Sequence, residues 1–352
     1  MDGAAWPHIR GDLSSTRQGA AAFLNNLEAA CTAINRIEWV KRWINIGDAH
    51  RDLGDTNLVK EHFDEAAEDW LCALTAFEVA RRLAHEDASE IEDVPAKIKI
   101  VVQKFGAVKQ KIERVQIDCC DQEIMAHYLP ADGRISSGPA VVCISTEEET
   151  ATTLLGRLLP VVINRGMSVL VVAHEDVSNT RRGQSEMFLS CCVDYLLTRS
   201  DIDAARIGVY GDGLSAALAT DFAASDSRVA AAVCDGGIWN LARMLAFVDW
   251  LARSADLPNE DVVSVRRLQL LRRLRCPVLV VAGGRGIVTA SEAMKLLRDG
   301  PTTPHDLQFA RSRPTTIDAG EVENFVTSDD RIFGWLERQL VLSSLSKDCL
   351  AG

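Results

Sequence analysis

The sequence predicts an α/β protein, a doubly wound and mostly parallel sheet that carries an N-terminal all-helical domain. Three observations predict it. Residues 16 to 86 repeat apolar side chains at helical spacing without a strand signal. From residue 114 the period becomes two, and buried runs of strand length then alternate with helical stretches, as parallel sheets require. Between Arg206 and Ala219 the chain reads as a short apolar strand, a tight glycine turn and an alanine-rich helix.

In the helical part, Phe23, Leu24, Leu27, Ala30, Cys31 and Ile34 recur at intervals of three and four, and Trp39, Val40, Trp43 and Ile44 continue the stripe. Gly54-Asp55 reads as a turn. Leu58 to Leu83 is the next amphipathic stretch, giving about three helices with Trp39, Trp43 and Trp70 in their core. The acidic run from His85 to Asp93 reads as a solvated connection, and residues 98 to 113 as a further helix. The domains expected are 1–97, helical, and 98–352, the sheet domain.

Residues 114 to 120 and 123 to 130 flank a short polar turn and predict an antiparallel hairpin. Strands follow at 140–144, 167–173, 206–210, 229–234 and 277–283, with one more short candidate within 306–317. Helices fill the intervals, 238–275 is a helical insertion, and 332–343 a closing helix. Ser145 to Thr150 and His174 to Ser185 read as polar loops.

The 352 residues are 47% hydrophobic, enough for a sizeable core, and carry a net charge of −12. That balance argues against nucleic acid and against an anionic membrane surface. The N-terminus reads as no signal peptide, the apolar runs are too short to span a bilayer, and a cytoplasmic protein is expected. The ten cysteines include no Cys-x-x-Cys pair and read mostly as reduced core thiols. No metal or other cofactor is expected. The expected partner is a small molecule, and a homodimer stays open.

The 206–219 stretch has the shape of a nucleophile elbow, a strand-to-helix turn that lifts one side chain over the sheet edge. The cramped backbone needs small residues two before and two after the nucleophile. Gly211 and Ser215 supply them, and Gly213 stands between, where a nucleophile would sit.

With this elbow, the pattern from Gly47 to Leu83, the opening hairpin, Arg165-Gly166-Met167, Asp203-x-x-Arg206-Ile207-Gly208-Val209 and the run from Ala223 to Val229, the chain resembles the α/β-hydrolase superfamily. Within it, the chain looks like the lid-bearing branch of carbon–carbon bond hydrolases, of the 2,6-dihydroxypseudooxynicotine hydrolase, FrsA-like and fungal polyketide-shortening type. The resemblance covers residues 25 to 340 and implies a catalytic triad whose positions here fall on other residues. The serine falls on Gly213. The acid would follow Gly283, where Gly284-Arg285-Gly286 stands, and the histidine falls on Glu321. Gly213 cannot attack, and Arg285 cannot orient an imidazole as a carboxylate does.

Polar groups expected at the strand ends define the remaining chemistry. His174, Asp212, Asp235 and Glu321 are the candidate acid–base groups, and Arg285, Tyr210, Leu214 and Trp239 the candidate substrate contacts, the Leu214 amide as an oxyanion donor. Asp212 reads equally well as a helix cap, Cys234 as core. Three functions follow. One is a non-hydrolytic acid–base enzyme of lyase, cyclisation or dehydration type on a small carbonyl or polyketide-like metabolite. The others are a pseudo-hydrolase that binds a ligand or protein, and a carbon–carbon or ester hydrolase with a displaced nucleophile such as Ser215.

Overall fold

A computed structural model describes residues 11–84, 93–109, 111–120, 122–131, 137–178, 184–236, 272–282, 307–311, 315–317 and 320–342. The chain divides into two compact units. One comprises residues 1–113, 152–163 and 313–333, and the other 114–151, 164–312 and 334–352.

The first unit is helical, with α1 (Leu13–Asn25), α2 (Leu27–Ala33), α3 (Arg36–Val59), α4 (Phe63–Leu83), α5 (Val94–Lys109) and most of α6 (Ala151–Val162). Ahead of α5, where the sequence suggests about three helices, the described residues form four, because the first apolar stretch is interrupted twice. The Asn26 backbone N–H closes α1 on Ala22 and Phe23, and the Asn35 side chain caps α3 by accepting from the Glu38 amide at 2.8 Å.

Gly54-Asp55 is no turn. Both residues lie inside α3, and the chain reverses instead around Glu61, whose φ is +62°. Gly54 is there for close packing, since a β-carbon on it would stand 2.6 Å from Trp70 Nε1, and one on Gly47 would stand 2.4 Å from the Phe77 ring. These two glycines, two helical turns apart on α3, let α4 press in. Phe23 packs its ring 4.8 Å from that of Trp39 and 5.2 Å from that of Trp43, and all three tryptophans are buried. Lys97–Asp48 and Lys104–Asp55 ion pairs tie α5 to α3. The antiparallel pair β9 (Thr315–Ile317) and β10 (Gly320–Val322) also belongs to this unit, where Val322, Phe325 and Val326 join the Trp39–Trp43 core.

The second unit holds the sheet. Its strands are β1 (Glu113–Cys119), β2 (Gln122–Leu129), β3 (Gly138–Ile144), β4 (Ser168–Val172), β5 (Ile202–Asp212), β6 (Val229–Asp235), β7 (Val278–Ala282) and β8 (Leu307–Arg311). They lie in the order β1-β2-β4-β3-β5-β6-β7-β8. From β4 to β8 every pairing is parallel, while β2 runs antiparallel to β4. The central strands β3 and β4 are buried along their whole length, as continuous apolar runs covered on both faces must be. Helices α7 (His174–Val177), α8 (Gln184–Leu197) and α9 (Ser215–Ser225) follow β4, α7 and β5 in turn. The 306–317 strand candidate resolves into two strands, β8 and β9. The closing helix α10 (Phe325–Glu337) starts earlier than expected and continues as a π turn over Arg338–Leu342.

Two of the motifs that carry the resemblance act as braces. Arg206 Nε donates to Asp203 at 2.6 Å and its NH2 to the Ser137 carbonyl at 3.0 Å, holding the start of β5 against β3. Arg228 donates to Asp226 and to Ser190, fixing the turn between α9 and β6.

The expectation of reduced thiols fails at one place. Cys119 and Cys191 form a disulfide, because the last residue of β1 meets α8 with Cα atoms 5.8 Å apart. Among the described residues no other disulfide is formed, and burial pushes the thiol pKa of Cys234 up to about 12. Among the described residues no helix is long and apolar enough to cross a membrane. Most of the 238–275 insertion lies outside the described residues.

Candidate functional site

The carboxyl ends of four adjacent parallel strands bring the candidate groups together. Ile144 on β3 pairs with Val172 on β4 and with Gly211 on β5, and Asp212 pairs with Asp235 on β6. The residues that follow therefore emerge side by side, as open α/β sheets arrange their ligand-binding edge. They are Ser145, Thr146 and Glu147 after β3, His174 after β4, Gly213 after β5, and Asp235 at the end of β6.

The turn after β5 is as tight as its sequence demands. A β-carbon on Gly211 would lie 2.1 Å from the Ser215 carbonyl oxygen, so only glycine fits where the strand doubles back beside the helix. Gly213 has a φ of +61°, in the left-handed region, and its N–H donates to the Asp235 carbonyl at 2.9 Å. It sits between the last residue of β5 and the start of α9. A β-carbon there would meet Glu147 Oε2 at 3.4 Å and Thr146 Cγ2 at 3.5 Å, ordinary contact distances. The Thr146 hydroxyl beside it is buried and has no partner among the described residues.

His174 opens α7, directly beyond β4. Its Nδ1 lies 2.7 Å from Ser215 Oγ, and its backbone N–H donates to Ser145 Oγ at 3.1 Å. Ser215 Oγ in turn donates to the Ser145 carbonyl at 2.6 Å. Ser215 is fully buried, whereas the imidazole is half-buried. Burial lowers the His174 pKa below its ordinary value, against a smaller upward pull from Glu175, so the ring is neutral at pH 7.

Asp212 and Asp235 are both buried, on neighbouring strands in the same register. Tyr210 is fully buried within β5, with its hydroxyl 3.5 Å from Asp235 Oδ2. It stands behind Asp235 and is closed to solvent. Leu214 forms the N-cap of α9, so its amide points out of the first turn of the helix. Cys234 is core, 2.8 Å from Thr220 Oγ1. Glu321 lies on β10 in the helical unit, its backbone paired with Thr316. Trp239 and Arg285 lie outside the described residues. Among the described residues no group of three or more His, Cys, Asp or Glu is arranged to hold a metal ion.

Sequence reasoning missed Ser145, Thr146 and Glu147 as members of this cluster. The only signal was their place, a polar run directly after a buried strand.

No protein-family model and no curated protein sequence matches the chain. Solved structures do. The 2,6-dihydroxy-pseudo-oxynicotine hydrolase superposes with a TM-score of 0.60 at 19% identity, over 87% of this chain and 89% of the other. AbyA5 gives 0.50 at 18%, over 78% and 80%. The acylaminoacyl peptidase of Pyrococcus horikoshii gives 0.50 at 12%, over 68% of this chain and 43% of that one. The fold common to them is the α/β-hydrolase fold, and this chain has it.

Proposed function

We propose that on this α/β-hydrolase fold the chain is a small-molecule enzyme that works by acid–base catalysis without an acyl-enzyme. Its substrate class is a small carbonyl compound of polyketide-like or aromatic type, and its reaction an enolisation-driven lyase, dehydration or cyclisation step. The observation that carries this reading is the pairing of an elbow that presents only Gly213 with a neutral, half-buried His174 anchored to Ser215 at 2.7 Å.

A neutral imidazole at a strand end is a suitable base at pH 7. The Leu214 amide, at the positive end of the eleven-residue helix α9, is placed to stabilise an enolate oxygen. Asp212 and Asp235 supply carboxyl groups on the same sheet edge, and the orphan Thr146 hydroxyl a donor beside Gly213.

The Ser215–His174 contact also favours a second reading, a hydrolase with a displaced serine. Against it stands the burial of Ser215, which keeps Oγ from a substrate carbonyl, and its donation to Ser145.

The test is proton exchange. Wild-type protein is incubated in D2O with a panel of 1,3-dicarbonyl compounds and aryl ketones, and loss of the α-proton signal is followed by NMR. Exchange above the buffer rate that falls at least tenfold in His174→Ala supports the reading, a loss of roughly 1.4 kcal/mol or more in transition-state stabilisation. Exchange unchanged in that variant, or stoichiometric labelling of Ser215 by a fluorophosphonate, overturns it.

A further inference from the structure

We propose that Ser215 and Ser145 hold His174 in the tautomer protonated on Nδ1, which makes Nε2 the atom that accepts a proton and makes Ser215 a positioning residue. As a statement about catalysis this rests on the acid–base reading of His174; as a statement about the tautomer it stands alone.

Counting protons leads to it. Ser215 Oγ lies 2.6 Å from the Ser145 carbonyl oxygen and 2.7 Å from His174 Nδ1. A carbonyl has no proton to give, and two bare oxygens repel at that distance, so the hydroxyl proton lies between Ser215 and Ser145. A serine has no second hydroxyl proton. The contact with Nδ1 is therefore held by a proton on the nitrogen, and Ser215 Oγ accepts it. A neutral imidazole carries one N–H, so Nε2 is left with its lone pair.

The rest of the network leaves no alternative. Ser145 Oγ accepts the His174 backbone N–H at 3.1 Å and donates to the Glu149 carbonyl at 2.7 Å. Ser145 thus grips His174 through its main chain and through Ser215. Nε2 makes no hydrogen bond to any described residue, and it is not among the buried polar atoms that lack a partner, so it is the open end of the ring. The serine two residues past Gly213 is in this way accounted for without a nucleophilic role.

The experiment uses full-length protein with its seven histidines labelled with 15N, the His174 signals being identified by their loss in His174→Gln. Long-range 1H–15N correlations are recorded at pH 8, where the ring is neutral. The expected pattern is a pyrrole-type Nδ1 and a pyridine-type Nε2 in the wild type. In Ser215→Ala, folded by circular dichroism, both nitrogens should move toward averaged values. A pyrrole-type Nε2 in the wild type overturns the proposal, whether or not Ser215→Ala folds. An unchanged pattern in folded Ser215→Ala overturns the positioning role. If the tautomer is as stated but His174→Ala keeps full proton exchange, the acid–base reading fails and the tautomer assignment survives.

Discussion

The carboxylate of Glu147 reaches to within 3.4 Å of the point that a β-carbon on Gly213 would occupy. The room over the elbow is therefore bordered by an acid from the loop after β3, and a side chain restored at 213 would meet that acid first.

Gly213→Ser should fold, but at a cost of about 1–3 kcal/mol, because serine would have to keep a φ near +61°. It should hydrolyse p-nitrophenyl acetate no faster than the wild type by more than a few-fold. His174 Nδ1 is already engaged by Ser215, and the described group nearest the new hydroxyl is the Glu147 carboxylate rather than an imidazole. Urea unfolding measures the first effect, and multiple-turnover esterase activity would refute the second.

Gly47→Ala tests the helical unit. In an exposed helix interior this change stabilises by roughly 0.5–1 kcal/mol. Here the added β-carbon would stand 2.4 Å from the ring of Phe77, which is fully buried and hemmed in. Overpacking should win and destabilise by about 1–3 kcal/mol. A higher thermal midpoint in Gly47→Ala would mean that α3 and α4 are not pressed together at this point.

His50 sets a pH dependence of stability. It is buried, and burial lowers its pKa below the ordinary 6.5 despite the nearby Asp69. The unfolded chain then binds a proton at a pH where the folded chain does not, so stability falls as pH drops through about 6.5 and is restored above it. His174 adds to the same slope. Urea midpoints between pH 5 and 7.5 should fall toward acid, and less steeply in His50→Gln. A slope identical in that variant would show that other groups carry it.

The Cys119–Cys191 bond closes a loop with a sequence separation of 72 residues. Replacing both with alanine, or reducing the protein, should cost about 2–4 kcal/mol of stability. Unfolding curves that coincide with and without dithiothreitol would show that the bond contributes nothing in solution.

Local chemistry made much of this protein legible from its sequence. Continuous apolar runs such as Val169–Val172 are strands buried on both faces, and the alternation of strands with helices leaves few arrangements other than a parallel sheet. The crowding of small residues at Gly211, Gly213 and Ser215 announced the tight turn after β5, where a β-carbon on Gly211 would collide with the Ser215 carbonyl. Gly54 misled for the opposite reason. A glycine that lets a neighbouring tryptophan approach looks, in one dimension, like a glycine that makes a turn.

What only the tertiary structure decided is which strand ends stand together. β3, β4 and β5 lie in the order β4-β3-β5, so loops distant in sequence become neighbours. That order carries Ser145 between His174 and Ser215 and makes one hydrogen-bonded group of them, and it sets Glu147 over Gly213. The packing of α8 beside the end of β1 likewise joins Cys119 to Cys191. Periodicity reports which face of an element is buried and says nothing of its neighbour in the sheet. A site assembled from several strand ends therefore exists only once the sheet has closed its order.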